Sequence, residues 1–281
     1  MDRQRNHRVE LARRAGGRGQ SRLHPCRRAP RGRLGCRAVH PGNHRVSLPL
    51  RALSRTFVPG ADFEDGSIEL PSEELDKLRK VLRLSSGAEI AVLPNDGTLV
   101  RCRLDGRQAI ALETVRPETE AGLHLTLAQA LPKGDKLDEI VRGGTELGVS
   151  RFIVFPSERT VVRWEPKKVQ DRLRRLGTIA REAAEVSFRT RLPEVVWMDS
   201  LAEVLKAKTD AVVLSEMEGV KVKLRPIGDR MTVVVGPEGG WAKREFEAIG
   251  DRGVTLGPRV LRVDHAGPSA AAILLLEHEL R

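Results

Sequence analysis

Two apolar runs that each empty into glycine, close together near the carboxyl end, limit the fold more than any other feature of this chain. Residues 231–241 read MTVVVGPEGGW, a mostly β-branched run feeding straight into a glycine turn. A run of that kind is expected of a strand covered on both faces, as in a parallel sheet, with a site at its carboxyl end. Gly236, Gly239 and Gly240 remove side chains where backbone turns sharply or approaches a ligand. Pro237 stiffens the turn, and Glu238 is the one charge inside it. The design then recurs: Val254, Thr255 and Leu256 form a short strand, Gly257 and Pro258 break it, and a loop carrying Leu261 and Arg262 follows. Pro268 is placed to open a helix at its first turn, and residues 270–280 are apolar enough to pack against a sheet. Two such loops can build one pocket; the alternative is a pair of ordinary loops in an α/β domain.

Strand and helix patterns alternate from residue 121 to 281, which argues an α/β domain with a mainly parallel sheet. Residues 123–130 and 152–155 read as strands, as do 211–214 and 232–235. Leu137, Ile140, Val141, Gly144 and Leu147 mark one face of a helix ended by Gly148, and residues 166–186 form a long basic helix. Residues 54–119 differ. Residues 67–70, 88–93, 98–104 and 109–115 read as short strands, with Asp96-Gly97 and Asp105-Gly106 as turns. One helix begins near Glu73 and Glu74, with Leu75, Leu78, Val81 and Leu82 at helical spacing. This is expected to be a small β-barrel.

Charge separates a third segment. Residues 1–53 hold 14 arginines, no lysine and two acids, a charge of +12, against +11 for the whole chain, so the rest carries −1. Composition of that kind does not offset the entropy of ordering, and residues 1–53 are expected to be a disordered arginine-rich extension. An RNA-gripping arm, a targeting peptide and translated upstream sequence are the readings open for it. No apolar run approaches the ~18 residues of a membrane span. Cys26, Cys36 and Cys102 have neither disulfide-framework nor zinc spacing, and no metal is expected. The motifs of P-loop, Rossmann, zinc-protease and serine-hydrolase sites are absent.

The stretches GPEGGW (236–241) and LGPRVLR (256–262) resemble the signature loops of the RsmE family, methyltransferases acting on N3 of a uridine in 16S ribosomal RNA. LRKVLRL at 78–84, the block around Lys133 to Lys136, TELG at 145–148, Glu158-Arg159-Thr160 and EAAE at 182–185 fit the same family in the same order, so the resemblance spans about residues 54–281. It implies a trefoil-knotted SPOUT domain at 121–281 and a PUA-like RNA-binding barrel at 54–119. It also implies S-adenosylmethionine as cofactor, 16S ribosomal RNA or the small ribosomal subunit as partner, a homodimer and a cytoplasmic location. Leu214, Gly236, Pro237, Gly239, Gly240, Leu256, Gly257 and Leu261 would hold the cofactor. Arg262 would stabilise the anion that develops on the acceptor, with Glu238 or Asp264 as the nearest bases. Arg55, Arg79, Arg83, Arg189 and Arg191 would contact RNA. The family's LRTETA reads LRVDHA at 261–266, placing Val263, Asp264 and His265 at changed positions, and Val186 and Phe188 also depart. His265 reads either as a replacement base or as a packed histidine, with packing the expectation. The alternatives to uridine methylation are methylation of another RNA position and an RNA-binding relative without catalysis.

Overall fold

The structure, a computed structural model, describes residues 48–215 and 221–281; most of the expected extension lies outside the described residues, as do Cys26 and Cys36. Packing begins before the expected boundary at residue 53. Leu53 is 2% exposed and Leu50 packs beside it, against Phe57, Ala91, Leu93 and Leu99. Arg101 Nη1 donates to the carbonyl of Leu48 at 2.8 Å. Residues 48–53 therefore belong to the folded body.

The first sheet contains β1 (Ser54–Phe57), β2 (Ser67–Glu69), β3 (Glu89–Leu93), β4 (Leu99–Asp105) and β5 (Gln108–Val115) in the order β1-β3-β4-β5-β2. β1 runs parallel to β3, and the other pairings are antiparallel, so the sheet is mixed. A register shift between Arg101 and Cys102 increases its twist. Helix α1 (Ser72–Asp76) starts at the expected acids and runs into a wider π-type turn, Lys77–Val81. That widening turns the later residues off the core face. Leu75 and Leu78 are buried, whereas Val81 and Leu82, expected on the same face, are exposed.

The second sheet is parallel throughout. It contains β6 (His124–Ala130), β7 (Arg151–Phe155), β8 (Glu194–Trp197), β9 (Ala211–Leu214), β10 (Arg230–Val235) and β11 (Gly253–Val254), ordered β11-β9-β10-β6-β7-β8. α2 (Lys136–Leu147), α3 (Pro166–Val186) and α6 (Val263–Glu279) pack on one face with Leu127, Phe152 and Val233. α4 (Leu201–Ala207) and α5 (Lys243–Ile249) pack on the other with Ile153, Val213 and Val234. Gly148 caps α2 in the left-handed region at φ 111°, as its position implied. β8, α4 and α5 carry no periodic signal strong enough to read. Pro268 does not open α6: the helix starts at Val263 and Pro268 lies inside it. Arg262, extended at φ −63° and ψ 149°, sets that earlier start, and buried Val263 anchors it. Thr255 N donates to Val222 O at 2.9 Å and Leu224 N to Thr255 O at 3.2 Å, so the segment around residue 223 runs beside the residue that follows β11.

α3 joins the two sheets. Arg181 pairs with Glu74 at 2.6 Å and with Glu185 at 3.5 Å, and it also donates to the carbonyl of Phe57. Lys77 pairs with the other oxygen of Glu185, and Thr56 donates to Glu74. Each buried carboxylate thus has one donor from its own side and one from the opposite side, which offsets the cost of removing it from water. The described residues belong to one compact unit. Truncating Leu53 to Ala should lower the free energy of unfolding by about 2–4 kcal/mol, read by urea denaturation. An unchanged midpoint would put the folded boundary back at residue 54.

Candidate active site

β9, β10 and β11 end at one level, and the loops leaving the last two close on a cavity of about 310 Å³. Leu214, Gly236, Pro237, Gly240, Leu256, Gly257 and Leu261, named above for the cofactor, line it, as does Glu238, named above as a base. Gly239 is the exception. A Cβ on it would lie 3.3 Å from Arg159 Cβ, and its carbonyl accepts from Arg159 Nη1 at 3.0 Å, so it serves the contact between its loop and the loop after β7. Val235, Val254, Val263 and Ala266 complete an apolar wall, and Ser215, Thr255 and Arg259 add polar groups.

Close packing explains why glycine occurs where it does. A Cβ on Gly236 would meet the Trp241 indole at 3.0 Å. That indole, also in the wall, donates from Nε1 to the carbonyl of Leu214 at 3.1 Å, tying the β10 loop to the end of β9. Gly240 and Gly257 hold φ of 67° and 127°, a region that side-chain-bearing residues seldom adopt. The Thr255 hydroxyl bonds both the amide and the carbonyl of Gly257 at 3.1 Å, closing the second bend. Glu245, unremarked in the sequence, is 7% exposed and accepts from Ala242 N, Ser157 Oγ and Glu158 N, each at 3.0 Å. Its signal was only a glutamate three residues into a short helix.

Glu238, Arg262 and Asp264 are committed to partners. Glu238 accepts from Lys136 Nζ at 2.6 Å and from the backbone N–H of Lys133 at 3.1 Å. Burial raises its carboxyl pKa, but the Lys136 hydrogen bond, the amides of Glu238 and Lys133 and the Lys136 charge outweigh that and leave it below the ordinary value. Arg262 follows cavity-lining Leu261 and precedes cavity-lining Val263, and its own side chain is 70% exposed. It holds Asp264 through two contacts, Nε to Oδ1 at 3.2 Å and Nη2 to Oδ2 at 3.1 Å. For Asp264, burial pushes the pKa up, but its own amide, the Arg262 hydrogen bond and the Arg262 and His265 charges bring it below the usual range. His265 is exposed, not packed: its place in the first turn of α6 points it away from the core.

Arginines expected at RNA divide sharply. Arg189 is 4% exposed and spends its guanidinium on the carbonyls of Thr145 (3.2 Å) and Val149 (2.7 Å) and on Glu120 (2.9 Å). No phosphate reaches it there, so it is a structural anchor and the expectation of RNA contact is corrected. Arg55 lies 3.6 Å above the Phe188 ring and donates to the carbonyls of Leu50 and Arg51. Arg191 is exposed but donates to the carbonyl of Asp96. Arg79 and Arg83 are exposed; Arg79 donates to Gly106 O, and Arg83 has no hydrogen bond or ion pair with the described residues. Among the described residues no group of His, Cys, Asp or Glu side chains could hold a metal ion.

Two outcomes follow for stability. Because the folded pKa of Glu238 is lowered, its contribution is complete above the ordinary carboxylate range and disappears as pH falls through the lowered value. Glu238→Gln should therefore be less stable than wild type at neutral pH, with the gap in urea midpoints narrowing on acidification; a pH-independent gap would contradict the clamp. Gly257→Ala, forced to φ 127°, should cost about 1–3 kcal/mol in the same assay.

Residues 119–275 match the model of the RNA methyltransferase domain family. Ribosomal RNA small subunit methyltransferase E of Synechocystis is 35% identical, covering 81% of this chain and 81% of that protein. Its counterpart from Bacillus subtilis is 32% identical over 77% of this chain and 93% of that protein. A crystal structure of the Neisseria gonorrhoeae ribosomal RNA small subunit methyltransferase E bound to S-adenosyl methionine superposes with a TM-score of 0.70 at 27% identity, covering 78% of this chain and 96% of that one. With the family model spanning more than half of the chain and relatives above 30% identity along most of it, the chain belongs to the ribosomal RNA small subunit methyltransferase E family.

Proposed function

We propose that the protein uses S-adenosylmethionine to methylate 16S ribosomal RNA of the small ribosomal subunit, at N3 of a uridine. The observation that carries this reading is the single cavity formed by the two glycine loops, with Arg262 emerging between two of its lining residues. The cavity suits the cofactor: apolar side chains offer a surface for a nucleoside, and loops at strand ends bring backbone polar groups to its edge. Leu214, Gly236, Pro237, Gly240, Leu256, Gly257 and Leu261 would hold it, while Gly239 supports the loop from behind. When bound, the cofactor supplies an electrophilic methyl group.

The chain's own residues prepare the acceptor. Uridine N3 carries a proton that must leave for its lone pair to take the methyl group. Arg262 at the amino-terminal end of α6 adds its charge to the positive end of the helix dipole, and together they favour the developing uridine anion. Glu238 and Asp264 have lowered pKa values and are poor proton acceptors. Their roles are to clamp the loop and to orient Arg262, and the N3 proton passes to solvent. Arg79 and Arg83 are the arginines of the first sheet's domain best exposed to meet phosphate. A homodimer is favoured by exposed leucines on two neighbouring helices, Leu276 and Leu280 at the end of α6, 58% and 77% exposed, and Leu147 at the end of α2. A cytoplasmic location fits a ribosomal substrate, and no helix among the described residues is long and apolar enough to cross a membrane.

Small-subunit RNA from a strain lacking this protein should lose N3-methyluridine on nucleoside mass spectrometry and regain it on complementation; persistence of the nucleoside would rule the reaction out. Arg262→Ala should lower kcat by about 10²–10³-fold while calorimetry finds cofactor affinity within about twofold of wild type. Wild-type turnover by this variant would remove Arg262 from the chemistry.

A further inference from the structure

A second cavity, of about 270 Å³, opens between the β6–α2 loop, the segment before α3 and α3 itself. Its walls share no residue with the first cavity. The two are nevertheless joined by one loop: Pro132 and Gly134 line the second cavity, while Lys133 N and Lys136 Nζ hold Glu238, which lines the first. Trp164 lines the second cavity and stacks on Trp197, with ring centroids 5.3 Å apart and planes inclined by 20°. Aromatic residues are scarce in this chain, with three Trp, six Phe and no Tyr in 281 residues, so an indole lining a cavity and backed by a second is not a by-product of composition. Arg172, also in the wall, is exposed and makes no hydrogen bond or ion pair with any described residue. Arg175 and Asp138, paired with each other, place a donor and an acceptor on the same wall.

A flat aromatic surface, a donor–acceptor pair and an exposed cation in the wall together match one unpaired nucleotide: a base to stack, an edge to hydrogen-bond, a phosphate to neutralise. We propose that this cavity takes a base of the RNA that flanks the methylated nucleotide, stacked on Trp164 with its phosphate at Arg172. The inference rests on the RNA methyltransferase reading above and adds a second nucleotide site to it. The shared loop gives the two sites a physical link, since Lys133 and Lys136, which hold Glu238 of the first cavity, flank Gly134 of the second.

The test uses full-length protein and small ribosomal subunits purified from a strain lacking it. Trp164→Leu and Arg172→Ala should each raise KM for the subunits about tenfold, with kcat and cofactor affinity within about twofold, and Trp164→Phe should stay near wild type. Arg172 is exposed on a helix surface, so its variant reports on the site whatever Trp164 contributes to folding. Unchanged KM in Trp164→Leu and Arg172→Ala overturns the proposal, as does a loss of cofactor affinity in either, or Trp164→Phe falling as far as Trp164→Leu. Wild-type protein that transfers no methyl group to the subunits overturns the parent reading and this one with it; the other failures overturn this one alone.

Discussion

The contact between the Trp241 indole and the bare α-carbon of Gly236 is the constraint from which the site is built. Parallel pairing of β10 with both β6 and β9 fixes where the chain must turn. At that turn the indole lies against Gly236 and bonds the last carbonyl of β9, so two strand ends and one loop are held by a single side chain. β11, paired with β9, then brings the second bend to the same edge of the sheet. A larger residue at position 236 displaces the indole, and the cavity loses a wall. Strand order, glycine and tryptophan thus act as one unit.

The acids at this site turn the chemistry toward electrostatics. A carboxylate held by lysine and amides, or forked by an arginine, gains from staying ionised and gives up little by way of proton affinity. Glu238 and Asp264 are both of this kind, although Glu238 is the one acid of the first signature loop and Asp264 the first acid after the second. What remains to act on an acceptor is positive: Arg262, Arg259 at the cavity wall and the amino-terminal end of α6. The Asp264 side chain, shorter than the family's glutamate, still reaches Arg262 because both occupy the start of the same helix.

Much of this was legible in the chain before its fold was known. Buried parallel strands announce themselves by β-branched runs, and Gly148 and the two glycine bends mark turns whose φ values demand glycine. Legibility ended where partners are remote in sequence. Arg189 reads as a surface cation at the end of a basic helix, and only the carbonyls of Thr145 and Val149 and the distant Glu120 reveal it as buried. α6 starts before its proline because Val263 enters the core, a tertiary fact outweighing a local preference. Val81 and Leu82 keep helical spacing on paper while a wider turn carries them into solvent. The partners of Glu245, Arg159 and Trp164 could not be read locally, since each acquires its meaning from a loop brought to it by the sheet.

The claim that the bends after β10 and β11 jointly hold the methyl donor is tested most directly by a crystal structure of the protein with S-adenosylhomocysteine. Density for the nucleoside is expected within the cavity bounded by Gly236, Leu256 and Leu261, with the Trp241–Leu214 hydrogen bond intact. Product bound elsewhere on the molecule, or a cavity closed by its own side chains in the complex, would contradict the account.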